Sequence, residues 1–287
     1  MTLDPTTRQQ AILLYDRFTH EGMERRAFMA EMAKLAGGMA AAELLVAGIA
    51  ASPAAASITR DNDPHIFTRT QEMNGYKLYF AEPRTRSLKP TVLVIHENRG
   101  LNDHIRDVAR RFALAGFRAV APDMLSPTGG TPANEDTARD AIGKLDVGKS
   151  VDDAVGIVAE LKKSSRGGKV GVVGFCWGGA FVNRLAVAAG DKLNAAVPYY
   201  GPAPSPAEAP KVMAPMLIHD AGLDDRVNAT SFPWVEALRA NKKTVKFFLY
   251  DGVNHAFNND TSAERYSKAA SDQAWARTIA FFHKYLG

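Results

Sequence analysis

Most of the chain alternates between short, mostly apolar runs and longer stretches in which apolar residues recur every three or four positions. The runs cover residues 91–96, 118–122, 170–175, 195–199, 216–219 and 244–250. The continuous run over 91–96 predicts a strand buried on both faces, and the other runs read as strands of similar length. Between them, Leu101, Ile105, Val108 and Phe112 lie at helical spacing, with Gly116 closing the helix. Val151, Val155, Val158 and Leu161 repeat the pattern behind Ser150. Ser150 with Asp153 three residues on predicts a capped helix start. Residues 232–241 predict a further helix, and Trp275, Ile279, Phe282 and Leu286 the apolar stripe of a closing one. Residues 66–80 alternate and carry Asn74-Gly75, the pair favoured in a tight hairpin turn, which predicts two antiparallel strands. That makes eight strands in all. Strands alternating with helices imply an α/β fold: a mostly parallel sheet with helices on both faces and an antiparallel edge. Residues 123–140, polar and rich in Gly, Pro and Thr, are expected as a loop beside a pocket.

Residues 1–60 break this pattern and form an N-terminal extension to a body over 61–287. Residues 7–23 predict a polar amphipathic helix. Glu24-Arg25-Arg26-Ala27-Phe28-Met29 precedes an Ala-, Gly-, Leu- and Val-rich stretch that reaches Ala54-Ala55-Ala56, a small-residue cleavage site. Paired arginines before a modestly apolar stretch resemble a twin-arginine export signal, which places the protein in the periplasm. The alternative is a helical arm that packs on the body or on a second subunit, in a cytoplasmic protein and a possible homodimer. Glu43 interrupts the apolar stretch, and a carboxylate at mid-bilayer costs about 2.5–3.5 kcal/mol, so no stable membrane span is expected.

The formal net charge is only +4 over 287 residues, with no dense Lys/Arg run, so nucleic acid is not an expected partner. A single cysteine excludes an intramolecular disulfide.

That cysteine lies in Gly174-Phe175-Cys176-Trp177-Gly178-Gly179, between the run ending at Phe175 and a helical stretch. Strand, Gly-x-Cys-x-Gly and helix in that order make a nucleophile elbow. The turn leaves no room for side chains at Gly174 and Gly178. It sets the sulfur of Cys176 at the head of a helix, where backbone N–H groups favour a thiolate. Cys176 is the expected nucleophile. In an elbow fold the acid and then the histidine follow at strand ends. His255, after the last strand, is the expected base, and Asp224, after the seventh, the acid that orients it; Asp220 and Asp225 are its rivals. Among the seven histidines, His96 and His219 also end strands and are expected near the pocket. His-x-x-x-His spacing is absent, so no metal is expected. Asn98 and Trp177 are the expected oxyanion-hole donors. Glu97 is placed to accept a hydrogen bond from the resting thiol.

With these motifs in place, the body over roughly residues 66–286 resembles the dienelactone hydrolase family of the α/β-hydrolase superfamily. The most specific part of the resemblance is the cysteine at the elbow, where most α/β hydrolases carry serine. The resemblance implies a Cys-His-Asp triad, no cofactor, a glutamate that shields the thiol until substrate arrives, and hydrolysis of a lactone bearing a carboxylate. The chain departs from the family at Asn259, where enzymes acting on dienelactone carry an arginine for that carboxylate. Arg139 is the candidate for their second arginine, and Arg226 stands at a different place in the motif. Tyr199, Tyr200, Phe257 and Asn259 are candidates to contact substrate. The expected function is cysteine-dependent hydrolysis of a small ester or lactone through an acyl-enzyme. Thioesterase or general carboxylesterase activity on the same triad, and a non-hydrolytic thiol redox sensor, are the alternatives; a sensor would have to work without a resolving cysteine.

Overall fold

A computed structural model describes residues 4–50, 58–85 and 87–287. One sheet organises the body. Its strands are β1 (Ile66–Met73), β2 (Tyr76–Pro83), β3 (Thr91–Ile95), β4 (Arg118–Pro122), β5 (Val170–Phe175), β6 (Ala195–Tyr199), β7 (Met216–Ala221) and β8 (Val245–Tyr250). Their order across the sheet is β1-β2-β4-β3-β5-β6-β7-β8. The β1–β2 hairpin turns at Asn74-Gly75 and joins β4 antiparallel, and every later pair is parallel. This is the α/β-hydrolase arrangement that the alternating pattern predicts, with the central strands buried on both faces.

The helices are α1 (Pro5–His20), α2 (Arg25–Ala36), α3 (Met39–Ile49), α4 (Asp103–Leu114), α5 (Glu135–Gly143), α6 (Val147–Lys163), α7 (Trp177–Ala188), α8 (Asp225–Ala240) and α9 (Lys268–Leu286). Helices α4 and α9 pack on one face of the sheet through residues such as Ile105, Phe112, Phe281 and Phe282. Helices α6, α7 and α8 cover the other through Val158, Phe181 and Trp234. Gly171 of β5 marks how closely α9 lies: a Cβ there would stand 2.7 Å from the Phe282 ring.

Three local expectations are corrected. The loop over 123–140 contains the start of α5, whose N-cap Asn134 accepts from the Thr137 N–H. Helix α6 starts earlier than Ser150 and is capped by Asp146, which accepts from Lys149 N–H; Ser150 is inside the helix, and Asp153 takes the Tyr76 hydroxyl instead. Helix α8 begins at Asp225, seven residues before the apolar pattern suggests, because Asp224 caps it.

Helices α1 to α3 form an arm with a small apolar core of its own, in which Phe18 stacks on Phe28 at 4.2 Å. The arm docks on its own body. Gln9 donates to Asn254 at 2.7 Å, the Ile49 carbonyl accepts from Ser262 Oγ at 2.6 Å, and Glu264 N–H reaches Gly48 O at 3.1 Å. Arg25, first of the arginine pair, contacts Asp136 of α5. The expected cleavage site at residues 54–57 lies outside the described residues. Among the described residues no single helix is long and apolar enough to cross a membrane; α2 and α3 meet that test only together and are bent by 104°.

Candidate active site

Strand β5 ends at Phe175 and α7 starts at Trp177, so Cys176 alone turns the chain. It does so at φ 56° and ψ −115°, a region that costs a residue with a Cβ of order 1–3 kcal/mol. The turn closes because its flanks lack side chains. A Cβ on Gly174 would lie 2.3 Å from the Gly178 carbonyl oxygen, and one on Gly178 would lie 2.5 Å from those of Ile95 and His96. The Cys176 N–H donates to Tyr199 O at 3.1 Å, which ties the elbow to β6. The sulfur therefore stands before the first N–H groups of α7, which have no acceptor within the helix.

Neighbouring strands deliver the acid and the histidine. Strands β7 and β8 run side by side, with Ala221 level with Tyr250, so the loops that leave them meet. Asp224 serves two elements: Oδ1 accepts from Val227 N–H and caps α8, while Oδ2 meets His255 Nδ1 at 2.5 Å. His255 is buried, and its Nε2 has no hydrogen-bond partner. The sulfur of Cys176 and one ring nitrogen each of His255 and His20 lie within 4.8 Å of one another. Burial is the largest influence on His255 and disfavours its charge. Cys176 and the Asp224 carboxylate outweigh it and raise the imidazole to about 10. For Asp224 burial again opposes charge, and His255 outweighs it and holds the carboxyl below its ordinary range. Asp220, the rival acid, is buried with neither oxygen paired, and burial pushes it up to about 7. Asp225 only opens α8.

The arm closes the site from above. A cavity of about 20 Å³ is left over Cys176, lined by Tyr15, Thr19 and His20 of α1 and by Glu97, Asn98, His255 and Arg265 of the body. That volume admits a water and little more. His20 Nε2 approaches the Cys176 sulfur at 3.9 Å, and its ring stands edge-on to His255 at 4.8 Å. Burial, followed by the charges of His255 and nearby arginines, holds His20 well below an ordinary histidine. Asp16 reaches Arg265 Nη1 at 3.3 Å, and Arg265 Nε is held by Ile49 O and Ser262 Oγ. Arg99 donates to the Tyr15 hydroxyl and to the Glu135 carboxylate. Sequence reasoning missed Tyr15, Asp16, His20 and Arg265. Only the amphipathic pattern of α1 hinted at Tyr15, Asp16 and His20, without saying where that helix lands, and nothing in the pattern pointed to Arg265.

The remaining candidates divide into cavity and core. Glu97 and Asn98 line the cavity, but Glu97 Oε2 accepts from Asn259 Nδ2 at 2.7 Å and its Oε1 has no partner. Asn259 thus positions Glu97 where the resemblance led us to look for a substrate contact. Trp177, whose N–H opens α7, stacks on His96 at 5.4 Å. Tyr199, Tyr200 and Phe257 are buried outside the cavity lining; Tyr199 bonds Thr278, and Tyr200 packs on His255 and Phe257. His96 and His219 are core residues rather than pocket residues. His96 Nε2 accepts from Met124 N–H, and His219 lies between Thr278 and Tyr250, with burial pushing it down to about 3. Arg139 pairs with Asp136 and lies over the Phe18 ring of the arm, away from the cavity.

Comparison with known proteins gives the same fold and family. The dienelactone hydrolase family profile matches residues 76–286. "Protein usf" of Aquifex pyrophilus is 32% identical over 228 residues, covering 75% of this chain and 96% of that protein. An Escherichia coli O157:H7 protein named "Putative carboxymethylenebutenolidase" is 32% identical over 262 residues, covering 83% of this chain and 94% of its own length. A solved Klebsiella pneumoniae structure titled "Putative Dienelactone Hydrolase" superposes with a TM-score of 0.69 at 26% identity, covering 77% of this chain and 99% of that one. The elbow, the strand order and these relatives agree: the chain belongs to the dienelactone hydrolase family and, with it, to the carboxylic ester hydrolases.

Proposed function

We propose that the chain hydrolyses small carboxylic esters and lactones through a triad of Cys176, His255 and Asp224. The observation that carries this reading is the sulfur on a strained elbow beside an imidazole whose far nitrogen is fixed by a carboxylate. Cys176 attacks the acyl carbonyl as a thiolate paired with protonated His255. The oxyanion that forms is met by the backbone N–H groups of Trp177 and Asn98, ahead of α7. His255 gives its proton to the leaving alkoxide, and an acyl-enzyme remains on sulfur. Neutral His255 then takes a proton from water, the hydroxide attacks the thioester, and the carboxylic acid leaves as the thiolate–imidazolium pair returns. Asp224 keeps the imidazole in the tautomer that both halves need. Before substrate arrives the shared proton rests on the Cys176 sulfur in a hydrogen bond accepted by Glu97, which Asn259 steadies, and it passes to His255 as the thiolate forms. Arg265, neutralised by Asp16 while the arm is down, is the cation available to a carboxylate on the substrate.

An ester does not fit the space left over Cys176, so turnover requires the arm to lift from the site. A panel of lactones, aryl esters and thioesters assayed with the wild type and Cys176→Ala tests the reading. Hydrolysis lost in a folded Cys176→Ala supports it, and wild-type rates in that variant overturn it.

A further inference from the structure

His20 belongs to the last turn of α1, Cys176 to the elbow and His255 to the loop after β8, yet their donor atoms converge. His20 Nε2 stands 3.9 Å from the sulfur, long for a hydrogen bond, and all three atoms fall within 4.8 Å. His255 Nε2 is buried without a partner, and so is Glu97 Oε1 in the same cavity. One thiolate and two imidazoles form a donor set suited to zinc and its tetrahedral relatives. Zinc–sulfur and zinc–nitrogen bonds of about 2.3 and 2.0 Å separate tetrahedral S and N donors by about 3.5 Å and two N donors by about 3.3 Å. The sulfur to His20 distance of 3.9 Å exceeds that by about 0.4 Å, and the other separations, up to 4.8 Å, would have to close by as much as about 1.5 Å when a metal binds. Asp224 behind His255 is the carboxylate that metal-bound histidines usually have behind them.

We propose that His20, Cys176 and His255 form a site for Zn²⁺ or a similar divalent transition metal that clasps the arm over the active site. A water in the 20 Å³ cavity or Glu97 Oε1 supplies the fourth ligand. Binding forms one metal–sulfur and two metal–nitrogen bonds. It releases to solvent the proton that Cys176 and His255 share, and nothing is oxidised or reduced. The metal occupies the sulfur lone pair that would attack the ester and the imidazole nitrogen that carries the proton to the leaving alkoxide and later takes one from water. One ligand comes from the arm, so metal binding and closure favour each other by linkage.

The test uses the full chain, stripped with chelator and titrated with Co²⁺, then Zn²⁺. One equivalent of Co²⁺ is expected to give tetrahedral d–d bands and a thiolate-to-cobalt band that Zn²⁺ bleaches and Cys176→Ser lacks. Changing His20 to Gln is expected to weaken binding by at least about 10- to 100-fold, the cost of losing even a group behind a ligand. Zn²⁺ should also slow proteolysis of the arm in the wild type and not in His20→Gln, which separates a lost ligand from a misfolded arm. Absence of the thiolate band, or Co²⁺ affinity in His20→Gln within about twofold of wild type, overturns the proposal. None of these readouts depends on ester hydrolysis, so they stand or fall apart from the triad.

Discussion

Replacing Asp16 with Asn should make the enzyme faster. Asp16 is the arm's counter-charge for Arg265, and their side chains are 16% and 7% exposed. The amide keeps the shape but leaves a buried guanidinium without its anion. Breaking a buried pair costs about 3–5 kcal/mol. Arg265 keeps its bonds to Ile49 O and Ser262 Oγ, and Asp16 retains some solvent, so about 2–3 kcal/mol of docking energy is at stake here. That corresponds to a roughly 30- to 150-fold larger lifted fraction of the arm. While the lifted form is a minority, kcat/KM for an aryl ester scales with its population. The predicted rise in Asp16→Asn is therefore of that size, or less if the arm becomes mostly lifted. Limited proteolysis of the exposed turn between α1 and α2 should accelerate in step. An Asp16→Asn protein with unchanged kcat/KM and unchanged proteolysis would show that the arm does not gate the site.

The other predictions concern the chemistry and the sheet. Cys176→Ala and His255→Ala should each lower turnover of the preferred ester by at least about 10³-fold with circular dichroism unchanged; activity within tenfold of wild type in either would remove that residue from the triad. Asp220, raised to about 7 by burial, stays protonated in the folded chain after the unfolded chain has ionised near 3.9, so its contribution to stability falls as pH rises from there to about 7. Asp220→Asn should therefore stabilise the protein by about 2–4 kcal/mol at pH 8 and hardly at all below pH 4, read from urea unfolding at the two pH values. Gly171→Ala should drive a methyl into the Phe282 ring and cost about 1–3 kcal/mol, with Phe282→Ala at the same site costing about 3–5 kcal/mol by thermal unfolding.

The body was legible because its signals are local. Short runs rich in β-branched residues, such as Thr91 to Ile95, favour buried strands over helices, and Asn74-Gly75 marks a hairpin turn locally. The elbow was legible for the same reason, since Gly174 and Gly178 report the tightness of their own turn. Helix starts were read less well. Asp146 and Asp224 cap α6 and α8 ahead of their apolar stripes, so a periodicity search finds the helix but starts it late. The pairing of Asp224 with His255 followed from chain order, but the second task of Asp224 as a cap did not. What the sequence hid altogether is long-range. His20 meets Cys176 across 156 positions, and Asp16 meets Arg265 across 249. The expectation of no metal rested on spacing along the chain, and spacing says nothing about donors brought together by folding.

The backbone at the site has one further consequence. Cys176, Tyr200 and Ala256 are all non-glycine residues held at positive φ, at 56°, 36° and 62°, and each withholds of order 1–3 kcal/mol from the folded state. Cys176 and Tyr200 stand directly after β5 and β6, and Ala256 lies in the loop that follows β8, so they are the positions that relax first when those segments loosen. Heat should therefore silence the enzyme some degrees before the sheet melts. A glycine at Cys176 should yield a sturdier protein that does nothing, which makes thermal stability a poor guide to selecting active variants.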